Sequence, residues 1–161
     1  MNQEWFWGAI STRCLNTLAG KIFGFANIKT LRLNGNYGVN GGGVYDGVLY
    51  NSIVYFNTLA NYSSSTMFTN SCTTPEKAGC ASGNITNDPM FVANGSGYGT
   101  NFVAGNYHLQ RGSPCINAGI NQSWMPGARD LDGHSRIDRF SGVVDMGCYE
   151  YLPQGTFYSV P

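Results

Sequence analysis

The chain is short of charge. Asp, Glu, Lys and Arg make up 11% of its 161 residues, and nine basic residues balance nine acidic ones. Soluble domains ordinarily carry about a quarter charged residues. Without net charge the chain has no electrostatic footprint for nucleic acid or an anionic membrane. It also lacks any apolar run near the ~20 residues that a spanning helix needs, so no membrane span is expected. Glu4 precedes every Lys and Arg, so the start lacks the basic region of an export signal. No Cys-x-x-Cys pair occurs, which disfavours a zinc knuckle. His-Glu-x-x-His and other zinc-spaced histidine pairs are missing, and so is the Gly-x-Ser-x-Gly elbow of an α/β serine hydrolase. The stretch NGSGYGTN (94–101) has no Lys-Ser/Thr and no following helix, so it is a loop and not a phosphate cradle.

What is abundant is turn chemistry. Gly contributes 22 residues, about twice its usual share, and aromatics are 14%, too many for a disordered chain. Gly and Asn supply left-handed backbone and local hydrogen bonds. Many short strands between many turns is an all-β pattern. Few Lys, many Asn and Thr, and five Cys give the chain an extracellular or cell-surface cast. This composition suits the tail of a longer secreted protein, or a reading frame that opens inside one. Cys72 with Cys80, and Cys115 with Cys148, could be bridged in an oxidising compartment; the alternative is small buried thiols. Cys14 is left over.

Residues 1–33 admit two patterns. Leu15, Leu18, Ile22 and Phe25 recur at helical spacing after Ser11, a candidate N-cap. Phe23, Phe25, Leu31 and Leu33 fit a strand period of two. The helix is preferred, as a short cover over an open end of the core. Residues 34–104 are expected to form stacked coils. TLRLNGN (30–36) and NSIVYFN (51–57) are each a strand closed by Asn, with Asn36 and Asn57 21 residues apart. A period near 20 with one strand-turn unit per repeat is the mark of a solenoid, in which like residues stack and turn Asn side chains form ladders. Residues 105–151 read as a closing module, and 152–161 as a tail.

The order of motifs then carries a resemblance. GGGVYDGVLYNSIVYFNT, SCTTP, GNITNDPMFV, GNYHLQRGSPCINAG, DLDGHSRID and VVDMGCYEY together resemble the C-terminal part of large bacterial secreted right-handed parallel β-helix proteins, the pectate-lyase-like repeat proteins. The likeness covers roughly residues 34–151. It leaves out residues 1–33 and the tail. It implies an all-β fold: a short right-handed parallel β-helix with an irregular closing module. In such proteins catalysis sits on a groove of central coils, most of which have no counterpart here. The open end of so short a stack also implies self-association.

Chemistry, if present, belongs to the closing module, which holds five of the nine acidic residues. Asp130, Asp132, Asp138 and Asp145 are candidate oxygen ligands for Ca²⁺, although the spacing is not that of an EF-hand. Asp132, His134 and Asp138 are candidate catalytic groups for cleaving a glycosidic, ester or lactone bond, with paired carboxylates as acid and base and His134 as a general base. A polysaccharide lyase is a less favoured variant. Against both stands a plainer reading. Asp132-Gly133 is a hairpin tip, and Asp130 and Asp138 pair with Arg129, Arg136 or Arg139. His108, in the strand-like YHLQ, is read as a strand residue. Tyr45, Tyr50, Tyr55, Phe56 and Tyr62 could stack on a glycan, but are read first as stacking on one another. The functional expectation is a carbohydrate-associated module of a secreted β-helix protein, with a small Ca²⁺-assisted hydrolase as the alternative.

Overall fold

The computed structural model describes residues 41–97, 101 and 103–153, and before them the backbone pairing of five short strands. The fold is all-β, with no helix among the described residues. Nine strands run in order: β1 (Phe6–Trp7), β2 (Leu15–Thr17), β3 (Ile22–Phe23), β4 (Asn27–Ile28), β5 (Leu31–Leu33), β6 (Gly47–Tyr50), β7 (Ile53–Val54), β8 (Thr66–Thr69) and β9 (Cys72–Thr73). They form parallel sheets ordered β2-β5-β7-β9 and β4-β6-β8, beside the pair β1-β3. From β4 onward successive strands alternate between the two larger sheets. Among the described residues these sheets do not close into a complete solenoid.

The register shows why the strands are short. Arg32 pairs with Ile53 and Leu33 with Val54, a step of 21 residues, as the alignment of 30–36 on 51–57 requires. The next steps are 19 residues: Ile53 to Cys72 and Gly47 to Thr66. Two residues per face are enough, because each strand needs only to lie on its predecessor. In β6, Gly47 and Leu49 are buried while Val48 and Tyr50 are half-buried; in β8, Thr66 and Phe68 are buried while Met67 is exposed. The period of two therefore stacks Leu49 directly on Phe68, inside a core cluster with Val44 and Val54.

Asn does terminate these strands, but at another place than Asn57 suggests. Asn51 (φ 47°) and Asn70 (φ 45°) follow β6 and β8 in the left-handed region, one above the other in register. Asn tolerates this backbone better than other side-chain-bearing residues. Asn57 instead bonds within its own loop, its Nδ2 donating to Asn61 Oδ1 at 3.0 Å. Asn36 lies outside the described residues.

Two expectations are corrected. The N-terminal helix is not formed where it can be checked: Leu15 and Ile22, two of its four anchors, lie in β2 and β3. Leu18 and Phe25 lie outside the described residues. β2 pairs with β5, so the alternation of period two, with β-branched Thr17 and Ile22, wins once a parallel neighbour is present. Nor does any disulfide join the described cysteines. Cys72 is fully buried in a second core cluster with Ile53, Phe91, Tyr107, Leu109, Cys115 and Met146, while Cys80 packs partly buried against the first.

Beyond β9 the parallel order fades. Ile85 makes a single parallel bridge to Cys72, and Phe91 then pairs antiparallel with Leu109. The chain after Tyr107 folds back against the flank of the stack: Ile53 and Cys72, on two successive strands, pack with Tyr107, Leu109, Cys115 and Met146, while Val54 faces the other cluster. Asn51 is the joint: its Nδ2 donates to Ile120 O at 2.9 Å, its Oδ1 accepts from Ile120 N at 2.7 Å, and its carbonyl accepts from Gly147 N at 2.8 Å. Gly147 (φ 94°) must be glycine, since a Cβ there would stand 2.9 Å from Ile53 Cδ1.

Candidate functional site in the closing module

The hairpin of residues 128–136 holds the candidate residues. Arg129 bridges Ser135 antiparallel, Asp130 N donates to His134 O at 2.8 Å, and Arg136 N donates to Ala128 O at 3.0 Å. The tip is a three-residue loop, Leu131-Asp132-Gly133, and not the expected two-residue turn: Asp130 pairs with His134, Gly133 N donates to Asp130 O at 3.2 Å, and only Gly133 (φ 86°) takes the left-handed backbone. The turn is held from inside by Asp130. Its Oδ1 accepts from Asp132 N at 2.9 Å and from His134 N at 2.7 Å, and its Oδ2 accepts from Glu150 N at 2.9 Å. The Asp130 side chain is wholly buried.

Outside the turn the residues are accessible. Asp132 Oδ2 lies 2.6 Å from His108 Nε2, with both side chains partly exposed. His108 Nδ1 lies 2.6 Å from Asn106 Oδ1, and the ring stacks on Tyr149 with centroids 4.1 Å apart. His134 Nδ1 is 3.4 Å from Asp130 Oδ2. Asp130, Asp132 and His134 thus bring one ligand atom each within 4.8 Å of one another. Of the expected residues these three converge. Asp138 and Asp145 do not join the group.

Those two acids hold backbone. Asp138 Oδ1 and Oδ2 accept from Phe140 N at 3.1 Å and Ser141 N at 3.0 Å. Burial alone would raise its pKa, but these N–H donors outweigh it and hold the carboxyl below its usual range. Asp145, 2% exposed, accepts from Asn117 N at 2.7 Å and Tyr151 N at 2.6 Å, yet burial pushes its carboxyl up. Asp145 N in turn donates to Glu150 Oε2 at 3.1 Å. Burial pushes Glu150 up to about 8 against the lowering pull of Arg136.

The expected arginine pairing of Asp130 and Asp138 is corrected. Arg136, fully buried, faces Glu150 with Nη1 2.9 Å from Oε1, and donates from Nη2 to Asp145 O at 3.2 Å. Arg129 Nη1 donates to Gly133 O at 3.3 Å, and Arg139 lies 4.5 Å over the Phe140 ring. In the closing module, backbone N–H groups claim these two carboxylates before the guanidinium groups do.

Sequence reasoning missed His108 as a member of this site. Its signal was the alternation in Tyr107-His108-Leu109: the buried flanks Tyr107 and Leu109 turn His108 to the other face. The reach to Asp132, 24 residues on, had no local sign.

The donor set is a poor fit for Ca²⁺. Calcium takes six to eight oxygens, and here two carboxylates come with an imidazole. Asp130 also already accepts three N–H bonds. A cleft of about 320 Å³ lies elsewhere, bordered by Asn57, Leu59, Tyr62 and Pro75. Tyr62 there stacks edge-on against Phe68, and Tyr55 against Phe56, so part of the expected aromatic row packs on itself. Comparison of the chain with family models, with curated proteins and with solved structures gave no match.

Proposed function

We propose that this chain is a non-catalytic, carbohydrate-associated module of a secreted or surface protein. It is built as a short right-handed parallel β-helix of the pectate-lyase-like kind, and its acidic segment ends the stack. One observation carries the non-catalytic half of the reading. Asp130, Asp138 and Asp145, three of the four candidate acids, spend their oxygens on seven backbone N–H groups. A carboxylate pinned on both oxygens by backbone donors is held in place, and so makes a poor acid, base or metal ligand. The parallel strands and their 19- to 21-residue steps support the β-helix half. The cleft beside Tyr62 is where a sugar ring would rest, with Leu59, 63% exposed, on its border.

The test is a panel of soluble oligosaccharides, esters and lactones, read both for binding and for turnover. The expected result is oligosaccharide binding that is lost in Leu59→Asp, with no turnover. Turnover lost in Asp132→Asn would overturn this reading.

A second reading is a small hydrolase acting on a polysaccharide, ester or lactone. It is favoured by the convergence of His108, Asp132 and His134 on an accessible face. There His134 would serve as base beside the Asp132 carboxylate, and His108, whose two ring nitrogens face Asn106 Oδ1 and Asp132 Oδ2, would position Asp132. Turnover lost in His108→Ala as well as in Asp132→Asn would support it. A calcium-dependent rise in unfolding temperature, absent in Asp132→Asn, would restore the metal-assisted form.

A further inference from the structure

Two thiols from distant parts of the chain meet at the seam between stack and closing module. Cys72 opens β9, paired in register with Ile53 of β7. Cys115 belongs to the closing module, where its carbonyl accepts from Met146 N at 3.0 Å. The next residue, Gly147, donates to Asn51 O and lies against the Ile53 side chain. Ile53 is thus the common neighbour that brings the two cysteines together. Both are 0% exposed and both belong to one core cluster. The Cys72 thiol donates to Asn87 O at 3.3 Å, and the neighbouring Cys115 thiol together with burial holds it well above its usual range.

We propose that Cys72 and Cys115 are oxidised to a disulfide that ties the last strand of the stack to the closing module. Cys72–Cys80 is not placed for this: Cys80 packs in the other cluster, against Phe68, whose N–H it accepts at 3.3 Å. The oxidant is a small-molecule disulfide. One cysteine thiolate attacks it, forming a mixed disulfide and releasing one thiol. The second cysteine attacks the protein sulfur of that mixed disulfide and releases the other thiol. Two protein thiols are oxidised and one oxidant disulfide is reduced to two thiols, so atoms and electrons balance. Once folded, the pair is buried and protonated, so the exchange precedes the docking of the closing module. The finished bond closes the long chain segment from 72 to 115 and is sealed from reductant.

The experiment refolds the reduced chain in a mixture of reduced and oxidised glutathione. Remaining thiols are then alkylated in denaturant, and the peptides are mapped by mass spectrometry. The expected map contains one linked pair, Cys72 with Cys115, and alkylated Cys80 and Cys148. A Cys14→Ser/Cys80→Ser/Cys148→Ser variant, keeping only the two proposed cysteines, should show a urea midpoint that falls when reductant is added during unfolding. A map with Cys72–Cys80 or Cys115–Cys148 linked, or with every thiol alkylated, overturns the proposal. So does a midpoint indifferent to reductant. The wild-type map decides the matter even where the triple variant fails to fold.

Discussion

The stacked strands and the closing module solve one problem with different chemistry. Between residues 44 and 73 each strand finds its hydrogen bonds on the strand before it, and the interior is filled by Val44, Leu49, Val54 and Phe68. Between residues 105 and 151 there are only isolated bridges. There buried and half-buried N–H groups are met by Asp130, Asp145 and Glu150, Asp138 holds an exposed turn, and a buried arginine lies among the acids. A repeating stack supplies its own acceptors, and the irregular segment packed against it must draw on side chains. Carboxylates serve because each oxygen can take two donors and needs no neighbouring strand. A dense acidic cluster in such a protein is therefore a poor guide to an active site.

This contrast predicts different responses to pH. Glu150 holds its proton more tightly folded, at about 8, than unfolded, at 4.5. Its contribution is fully present below pH 4.5 and is lost as pH rises through about 8, on the order of 5 kcal/mol across the window. Asp145 acts in the same direction. Asp138, held low, works the other way: its contribution is present above its unfolded value of 3.8 and is lost below it. Urea midpoints measured from pH 5 to pH 8.5 should therefore fall, and Glu150→Gln should flatten the slope. A flat wild-type profile would show that the module is not held by a buried acid.

Phe68→Ala tests the stack. It should cost about 3–5 kcal/mol through the lost apolar volume, with the same loss at pH 5 and pH 8.5. A loss that changes with pH would mean that the two regions are not separable in this way. Asp130→Ala comes next, at about 3 kcal/mol, because three N–H donors lose their acceptor. Unfolding in urea measures it, and a cost under about 1 kcal/mol would show that water replaces the carboxylate. Smallest is Asp132→Ala, which breaks a partly exposed pair with His108 and should cost under about 1 kcal/mol. If that variant destabilises as much as Asp130→Ala, the tip of the hairpin is structural too.

The two regions were also unequally legible from sequence. The stack repeats, so one comparison of TLRLNGN with NSIVYFN fixed the register of Arg32 on Ile53. Period-two burial of Leu49 and Phe68 followed from the same pattern. The closing module has no repeat. A hairpin around Asp132-Gly133 was readable because a turn is local, although its loop has three residues and not two. The partners of the acids were not, since Asp145 reaches back to Asn117 and Asp130 forward to Glu150. The pairing of Arg136 with Glu150 rather than Asp138, and the meeting of Cys72 with Cys115, depend on how the segment folds against the stack. The N-terminal strands were obscured because three residues such as Leu15–Thr17 are too few to show a period without their neighbour.

The register steps have one more consequence. Successive returns of the chain to the same sheet take 16 residues from Leu15 to Leu31, then 21, then 19, and at the last bridge, from Cys72 to Ile85, only 13. A loop of 13 residues has a contour of at most about 45 Å, against about 70 Å for one of 21. The available perimeter is therefore largest for the middle coils and shrinks toward both ends. A full-width coil laid on either end, from this chain or from a second copy, would overhang its support.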